Sequence, residues 1–362
     1  MRKRWDDTYR YAAFFDPLTG KGARSNVMDE LGNDTLVEPY RGSFPELLDI
    51  GIMGHCAHGE SGLCLASGVQ CYQKGGSLHE EHLSFDRFKR IIDEALGKTF
   101  QVALGGRGDP DQHPDILKIL AYAHHHGITP NFTTSGFGLK KDLLPAIKQY
   151  CGAVAVSWYR NDYTLDAINI LIEAGIKTNI HYVLSNASID EAIERTEKHL
   201  WPQGINRIIF LLHKPVGFGT MDEVLQINDP KVQRFFALFD DPDIANQAGF
   251  DSCCVPAILN LTHKIHPDCI EACEAGRFSA YISPDFKLIP CSIEKDDHYA
   301  VSLENTSIEE AWESEVFESF RTRQANHCPT CPHRSSCLSG CPIVPEITLC
   351  ALPHRSLKEN AL

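Results

Sequence analysis

From Leu47 onward the chain alternates short apolar runs with stretches of helical period. The runs are LLDIGIMG (47–54), FQVALGG (100–106), ITPNFTT (128–134), AVAVSWY (153–159), KTNIHYVLS (177–185) and RIIFLLH (207–213). Bounded by polar and glycine-containing segments, runs of this length predict buried strands. Between them the spacing of apolar residues predicts helices over 84–97, 113–126, 139–150, 162–174 and 188–200. Gly127 and Gly175 stand where helix-ending glycines belong. Strand–helix alternation at this interval builds parallel βα units. Six of them predict an α/β fold with a partial (β/α)6 barrel, and a doubly wound sheet is the rival arrangement. In barrels of this kind chemistry gathers at the carboxyl ends of the strands.

Two regions depart from this pattern. Residues 1–45 form a preamble in which YRYAAFFDPLTGKGARS predicts a hairpin turning at Asp16-Pro17 and Thr19-Gly20. After Phe250 the helical stretches shorten, and 265–350 reads as too irregular to pack a large core of its own. A small module held by metal fits that texture better. The division expected is therefore a hairpin preamble (1–45), a barrel (46–250) and a small cysteine-rich C-terminal module (251–362).

Composition narrows the class. The chain has 362 residues, 43% of them apolar, and a formal net charge of −14. An acidic balance of that size argues against an exposed nucleic-acid or membrane-binding surface. No secretory signal follows MRKRWDD, and no run approaches the ~18 apolar residues of a spanning helix. The expected location is the cytoplasm.

Cysteine is the outlier, at 14 residues. Three lie at 56, 64 and 71, ten lie between 253 and 350, and Cys151 stands alone. In a reducing compartment such clusters bind metal or do chemistry. CPTCPHRSSCLSGC (328–341) has the spacing C-x2-C-x5-C-x3-C, preceded by Cys269, Cys273 and Cys291 and followed by Cys350. Thiolates so spaced hold zinc or iron–sulfur clusters. From spacing alone these eight could serve two zinc sites as well as two clusters.

The order of these features resembles the radical S-adenosylmethionine (radical SAM) enzymes that carry a SPASM-type extension. That family has a partial barrel, three clustered cysteines after its first strand and a C-terminal cluster module. The resemblance runs from about Leu47 to Cys350. It implies three 4Fe–4S clusters and SAM as cofactors. Cys56, Cys64 and Cys71 would hold the SAM-binding cluster. Three thiolates leave one iron open for the amino and carboxylate groups of SAM. Cys269, Cys273, Cys291 and Cys341 would hold the first auxiliary cluster, with Cys254 a rival to Cys269. Cys328, Cys331, Cys337 and Cys350 would hold the second.

Several departures accompany the resemblance. The first three cysteines are spaced C-x7-C-x6-C, where the family usually has C-x3-C-x2-C; the extra residues are expected to fold over the cluster or shape its approach. A zinc or structural reading of these three, with His55 or His58, stays open. Gly105 and Gly106 match a family Gly-Gly-Glu at the end of the second strand, but Arg107 replaces the Glu, and Asp109 is the nearest carboxylate for the SAM ammonium. Tyr72 is compatible with the family's cluster loop. Ser135 and Ser157 end the third and fourth strands near the expected SAM carboxylate and ribose. His213 and Lys214 end the sixth, within reach of adenosine or substrate. The family usually has glycine five residues before the ligand matching Cys291, and this chain has Phe286, so a different local turn is expected. Cys253 is a candidate catalytic hydrogen-atom donor.

The activity implied is reductive cleavage of SAM to a 5′-deoxyadenosyl radical and abstraction of a hydrogen atom. The most favoured substrate is a peptide or protein side chain, with oxidation, crosslinking or epimerisation as outcomes. Radical dehydrogenation or rearrangement of a small molecule is the alternative, and a non-catalytic zinc or Fe–S protein the alternative of another class. A flavodoxin or ferredoxin would supply electrons. Ser292 follows Cys291 where the sulfatase-maturing branch has an Asp base, which argues against that activity.

Overall fold

The computed structural model of this chain describes residues 1–325, 328 and 331–350. Residues 351–362, the end of the expected C-terminal module, lie outside the described residues.

All six expected strands form: β4 (Leu47–Met53), β5 (Gln101–Gly106), β6 (Thr129–Thr134), β7 (Val154–Ser157), β8 (Thr178–Leu184) and β9 (Arg207–Leu212). They follow β1 (Arg2–Asp6), β2 (Tyr11–Asp16) and β3 (Lys21–Arg24), an antiparallel sheet whose β2–β3 pair turns through the expected Asp16–Gly20 segment. Helices Phe85–Ala95, Ile116–His125, Leu144–Tyr150, Asp162–Glu173 and Ile189–Glu197 connect the parallel strands, each inside its expected window.

The main sheet is larger than six strands. Beside β9 lies β10 (Ala248–Phe250), and beside β4 lies β11 (Ser279–Ile282), both parallel. Then β12 (Lys287–Ile289) and β13 (Val301–Ser302) extend it antiparallel. The order is β10-β9-β8-β7-β6-β5-β4-β11-β12-β13. The sheet does not close on itself, its free edges being β10 and β13, so this is a partial barrel, with the cysteine-rich region continuing it beyond β4.

That edge changes the expectation for 265–350. Phe286, Leu288, Trp312 and Phe317 from this stretch are buried in the same apolar core as Ile50 and Val102 of the barrel. Burial at about 25 cal/mol per Å² therefore holds the region on the barrel alongside any metal. Phe286 itself has φ +65°, the backbone region that favours glycine. The glycine-type turn is kept, and the phenyl ring is buried beneath the guanidinium groups of Arg87 and Arg90, 5.1 and 5.3 Å from its centre. The expected change of turn does not occur, because burial and cation–π contact offset a strain of about 1–3 kcal/mol.

Candidate active site

A cavity of about 1400 Å³ opens at the carboxyl ends of the strands. Its lining carries Cys56, Cys64 and Cys71 as one wall and Cys273, Cys291 and Cys341 as another.

The first wall is the loop after β4. Cys56 caps the one-turn helix α1 (Ala57–Glu60), and its Sγ accepts a hydrogen bond from Gly59 N at 3.1 Å. Gly62, at φ +74°, reverses the chain into a second one-turn helix, α2 (Leu63–Ala66), which carries Cys64. Gly75 N donates to Cys71 Sγ at 3.4 Å. The long x7 and x6 gaps are thus two helical turns. The loop closes where Gly59 meets Gly75 and Gly76: a Cβ on Gly76 would lie 2.5 Å from the carbonyl carbon of Gly59, and one on Gly59 2.6 Å from that of Gly75. A Cβ on Gly75 would stand 3.5 and 3.6 Å from the sulfurs of Cys56 and Cys71.

Burial pushes the Cys56 thiol up to about 12, with smaller contributions from Asp109, Cys71 and Cys64. Burial, then the neighbouring Cys71, raises Cys64 as well. Thiolates here need positive charge beside them, which an iron centre supplies. Three sulfurs around one recess, with backbone N–H groups aimed at two, fit a cluster held by three ligands. Among the described residues no three His, Cys, Asp or Glu converge closely enough to grip one metal ion. His55 stacks on His82 with ring centres 4.2 Å apart, and His58 Nε2 lies 2.6 Å from Tyr163 Oη.

The far cysteines sort into two groups. Cys291 and Cys341 are each raised first by burial and then by charged neighbours that include Cys273. Cys337 is pushed up to about 11 by burial, with Cys350 and Cys331 adding to it. Cys253 is half-buried, and both Cys341 and Cys273 act on its thiol. Cys254 instead points its thiol at Asp251 Oδ1, 3.3 Å away. Cys269 is exposed at the cavity margin, and Cys328 is half-buried beside Cys331, whose N–H donates to the Cys328 carbonyl at 3.1 Å.

The strand ends supply the remaining groups. Gly105 faces open space, where a Cβ would meet nothing within 4 Å. Gly106, at φ +106°, would bring a Cβ to 2.6 Å from the Met53 carbonyl oxygen. Arg107 is turned aside, ion-paired to Glu80 and bonded to the Gln73 carbonyl at 3.2 Å. Asp109 lines the cavity, and its two carboxylate oxygens accept from Ser135 N at 2.7 Å and Ser135 Oγ at 2.5 Å. Burial and then Asp111 raise its carboxyl. Ser157 lies on the cavity wall. His213 Nε2 is 3.0 Å from the Thr220 carbonyl oxygen, a bond that satisfies it. Tyr72 is half-buried, and Lys295 Nζ sits 5.2 Å over its ring while bonding Gln73 Oε1 at 2.7 Å.

Lys214, expected within reach of adenosine or substrate, forms a half-buried ion pair with Asp251. Other cavity groups escaped sequence reasoning. Tyr159 is half-buried; loss of water raises its phenol first, and Asp109 and all three cysteines of the first wall raise it further. Asp49 projects from β4 into the cavity.

Comparison with known proteins adds a family match and relatives. The SPASM iron–sulfur cluster-binding domain matches residues 273–337. The mycofactocin maturase MftC of Mycolicibacterium smegmatis is 24% identical over 308 residues, covering 77% of this chain and 75% of its own. SuiB of Streptococcus suis, bound to the precursor peptide SuiA, superposes with a TM-score of 0.65 at 17% identity, covering 90% of this chain and 84% of SuiB. The enzyme anSMEcpe with bound AdoMet superposes with a TM-score of 0.57 at 12% identity, covering 82% and 86%. At these identities the superpositions describe the fold.

Proposed function

Because this chain belongs to the radical SAM enzymes with a SPASM-type auxiliary-cluster module, we propose that it modifies a peptide substrate inside the barrel cavity. The observation that carries the reading is the one cavity lined both by Cys56, Cys64 and Cys71 and by Cys273, Cys291 and Cys341. Its volume of about 1400 Å³ exceeds the ~300–1,000 Å³ of ordinary small-ligand sites. That leaves room for a peptide segment beside a cofactor. A maturase relative and the likeness to a peptide-bound SuiB favour a peptide over a small molecule.

When bound, the first cluster and SAM would supply a 5′-deoxyadenosyl radical that removes a hydrogen atom. The chain's own groups hold and shield it. Cys56, Cys64 and Cys71 would ligate the SAM-binding cluster. Asp109, oriented by Ser135, would receive the SAM ammonium, while Gly105 and Gly106 let the cofactor approach the backbone. Tyr72, Ser157 and His213 would border it. Cys273, Cys291 and Cys341 would hold the first auxiliary cluster with Cys269, and Cys328, Cys331, Cys337 and Cys350 the second. The separate grouping of Cys341 and Cys350 supports this interleaving. The reading keeps the division 1–45, 46–250 and 251–362, a reduced flavodoxin or ferredoxin as donor, and the cytoplasm as location. No described helix is long and apolar enough to cross a membrane.

Anaerobic purification tests the reading. About three 4Fe–4S clusters per chain and formation of 5′-deoxyadenosine with SAM and dithionite are expected. A colourless zinc protein, or an iron-loaded one that leaves SAM intact, overturns it.

A further inference from the structure

Asp49 stands in the middle of β4, level with Ala103 on β5 and Tyr281 on β11. Its side chain faces the cavity. Two residues on, Gly51 leaves the space that the Tyr281 hydroxyl fills, since a Cβ there would collide with it. Asp49 lies electrostatically between the two cysteine walls. It acts on Tyr72, next to Cys71, and it feels Glu274, next to Cys273.

The other acidic groups on this cavity have partners. Asp109 is held by Ser135, Asp251 by Lys214, and Glu271 and Glu274 by Arg24. Glu223 accepts from Ala187 N at 2.9 Å, and Asp240 from His263 N at 2.6 Å. Asp49 has no hydrogen bond and no ion pair among the described residues; burial and the like charge of Glu274 are what act on it. Asp49 is half-buried, and an unpaired carboxylate partly withdrawn from water in a barrel wall costs stability that an apolar side chain would not. A group kept at such a cost, open to the substrate space, is placed for chemistry.

We propose that Asp49 takes the proton a peptide substrate releases when it is oxidised in this cavity. The inference rests on the radical SAM reading above and specifies its outcome. A substrate carbon would lose its hydrogen atom to the 5′-deoxyadenosyl radical that the first cluster and SAM supply when bound, giving 5′-deoxyadenosine, and the remaining substrate radical would pass one electron to an oxidised auxiliary iron–sulfur cluster. The adjoining N–H, O–H or S–H gives its proton to Asp49 as the new bond forms. The product is short by two hydrogens, so the reaction is an oxidation or crosslink and not an epimerisation. Burial raises the Asp49 carboxyl to about 7, which suits a group that takes and returns protons near neutrality. The titratable groups around it are Tyr281 on β11, Glu274 ahead of that strand and Tyr72 of the cluster loop. β5 presents Ala103 opposite it.

The test uses cluster-loaded enzyme, SAM, dithionite and a synthetic peptide selected from a random library by its stimulation of 5′-deoxyadenosine formation. Native enzyme is expected to give peptide lighter by two hydrogens, at a rate that rises with pH through one ionisation near about 7. Asp49→Asn is expected to form product on the order of 10²-fold more slowly, raise the ratio of 5′-deoxyadenosine to product, and lose that ionisation. Iron content reports whether the variant is folded, and the native pH profile stands without it. Product from Asp49→Asn within twofold of native, an unchanged pH profile, or a native product of unaltered mass overturns the role of Asp49. Absence of 5′-deoxyadenosine from native enzyme overturns the radical reading instead.

Discussion

Ser135 holds Asp109 by two bonds, one from its backbone N–H at 2.7 Å and one from its hydroxyl at 2.5 Å, each to a different carboxylate oxygen. The carboxylate is thereby aimed into the cavity before any cation arrives. Ser135→Ala removes one bond to a charged group, worth about 1.5–3 kcal/mol. SAM affinity measured by equilibrium dialysis on iron-loaded protein should fall by roughly tenfold or more, with iron content retained. An unchanged Kd would remove Asp109 from the SAM site.

The crossing of Gly59 and Gly76 is a place where a methyl group has nowhere to go. Gly76 has φ +86°, and its Cβ would press on backbone atoms. Gly76→Ala should open the loop and cost the first cluster, lowering iron by about four per chain. The buried core is remote, so far-ultraviolet circular dichroism should change little. Full iron in this variant would show that the crossing is not needed to gather the three thiols.

Cys341 and Cys350 are near neighbours in sequence but belong to different groups of thiols. Cys341→Ala should alter the same electron paramagnetic resonance signal as Cys291→Ala. Cys350→Ala should alter the signal that Cys337→Ala does. Identical spectra for the Cys341 and Cys350 variants would refute the interleaved ligand scheme.

His58 is 3% exposed, and burial lowers its pKa to about 4 from an ordinary 6.5. The unfolded chain therefore binds a proton between those values that the folded chain refuses. Stability from this group is fully present above pH ~6.5 and is lost as pH falls toward 4. The shift corresponds to about 3 kcal/mol. His58→Phe should flatten the fall in urea midpoint between pH 7 and 5. An identical slope in variant and native protein would count against it.

The barrel strands were legible because each is a run of apolar residues between helices of clear period. β10 was not, since three residues containing Gly249 carry no pattern. β11 escaped for another reason: SAYI lies among the module cysteines, and its pairing with β4 joins residues about 230 apart in sequence. The cysteines of the site were visible as a chemical type with spacing. Asp49 was not, because one carboxylate inside LLDIGIMG reads as an interruption of a buried strand. Only the facing of β4 against β5 and β11 shows that it meets no partner.

Phe286 fixes one more property of the molecule. Its ring is clamped between the turn that leads through β12 to Cys291 and the two arginines of the helix Phe85–Ala95. That turn is therefore riveted to the barrel wall and does not ride on the irregular chain beyond it. Electron tunnelling falls off steeply with separation, so an acceptor anchored by Cys291 would keep a constant distance from the substrate chamber. A ring placed where glycine geometry is required would thus hold that distance fixed.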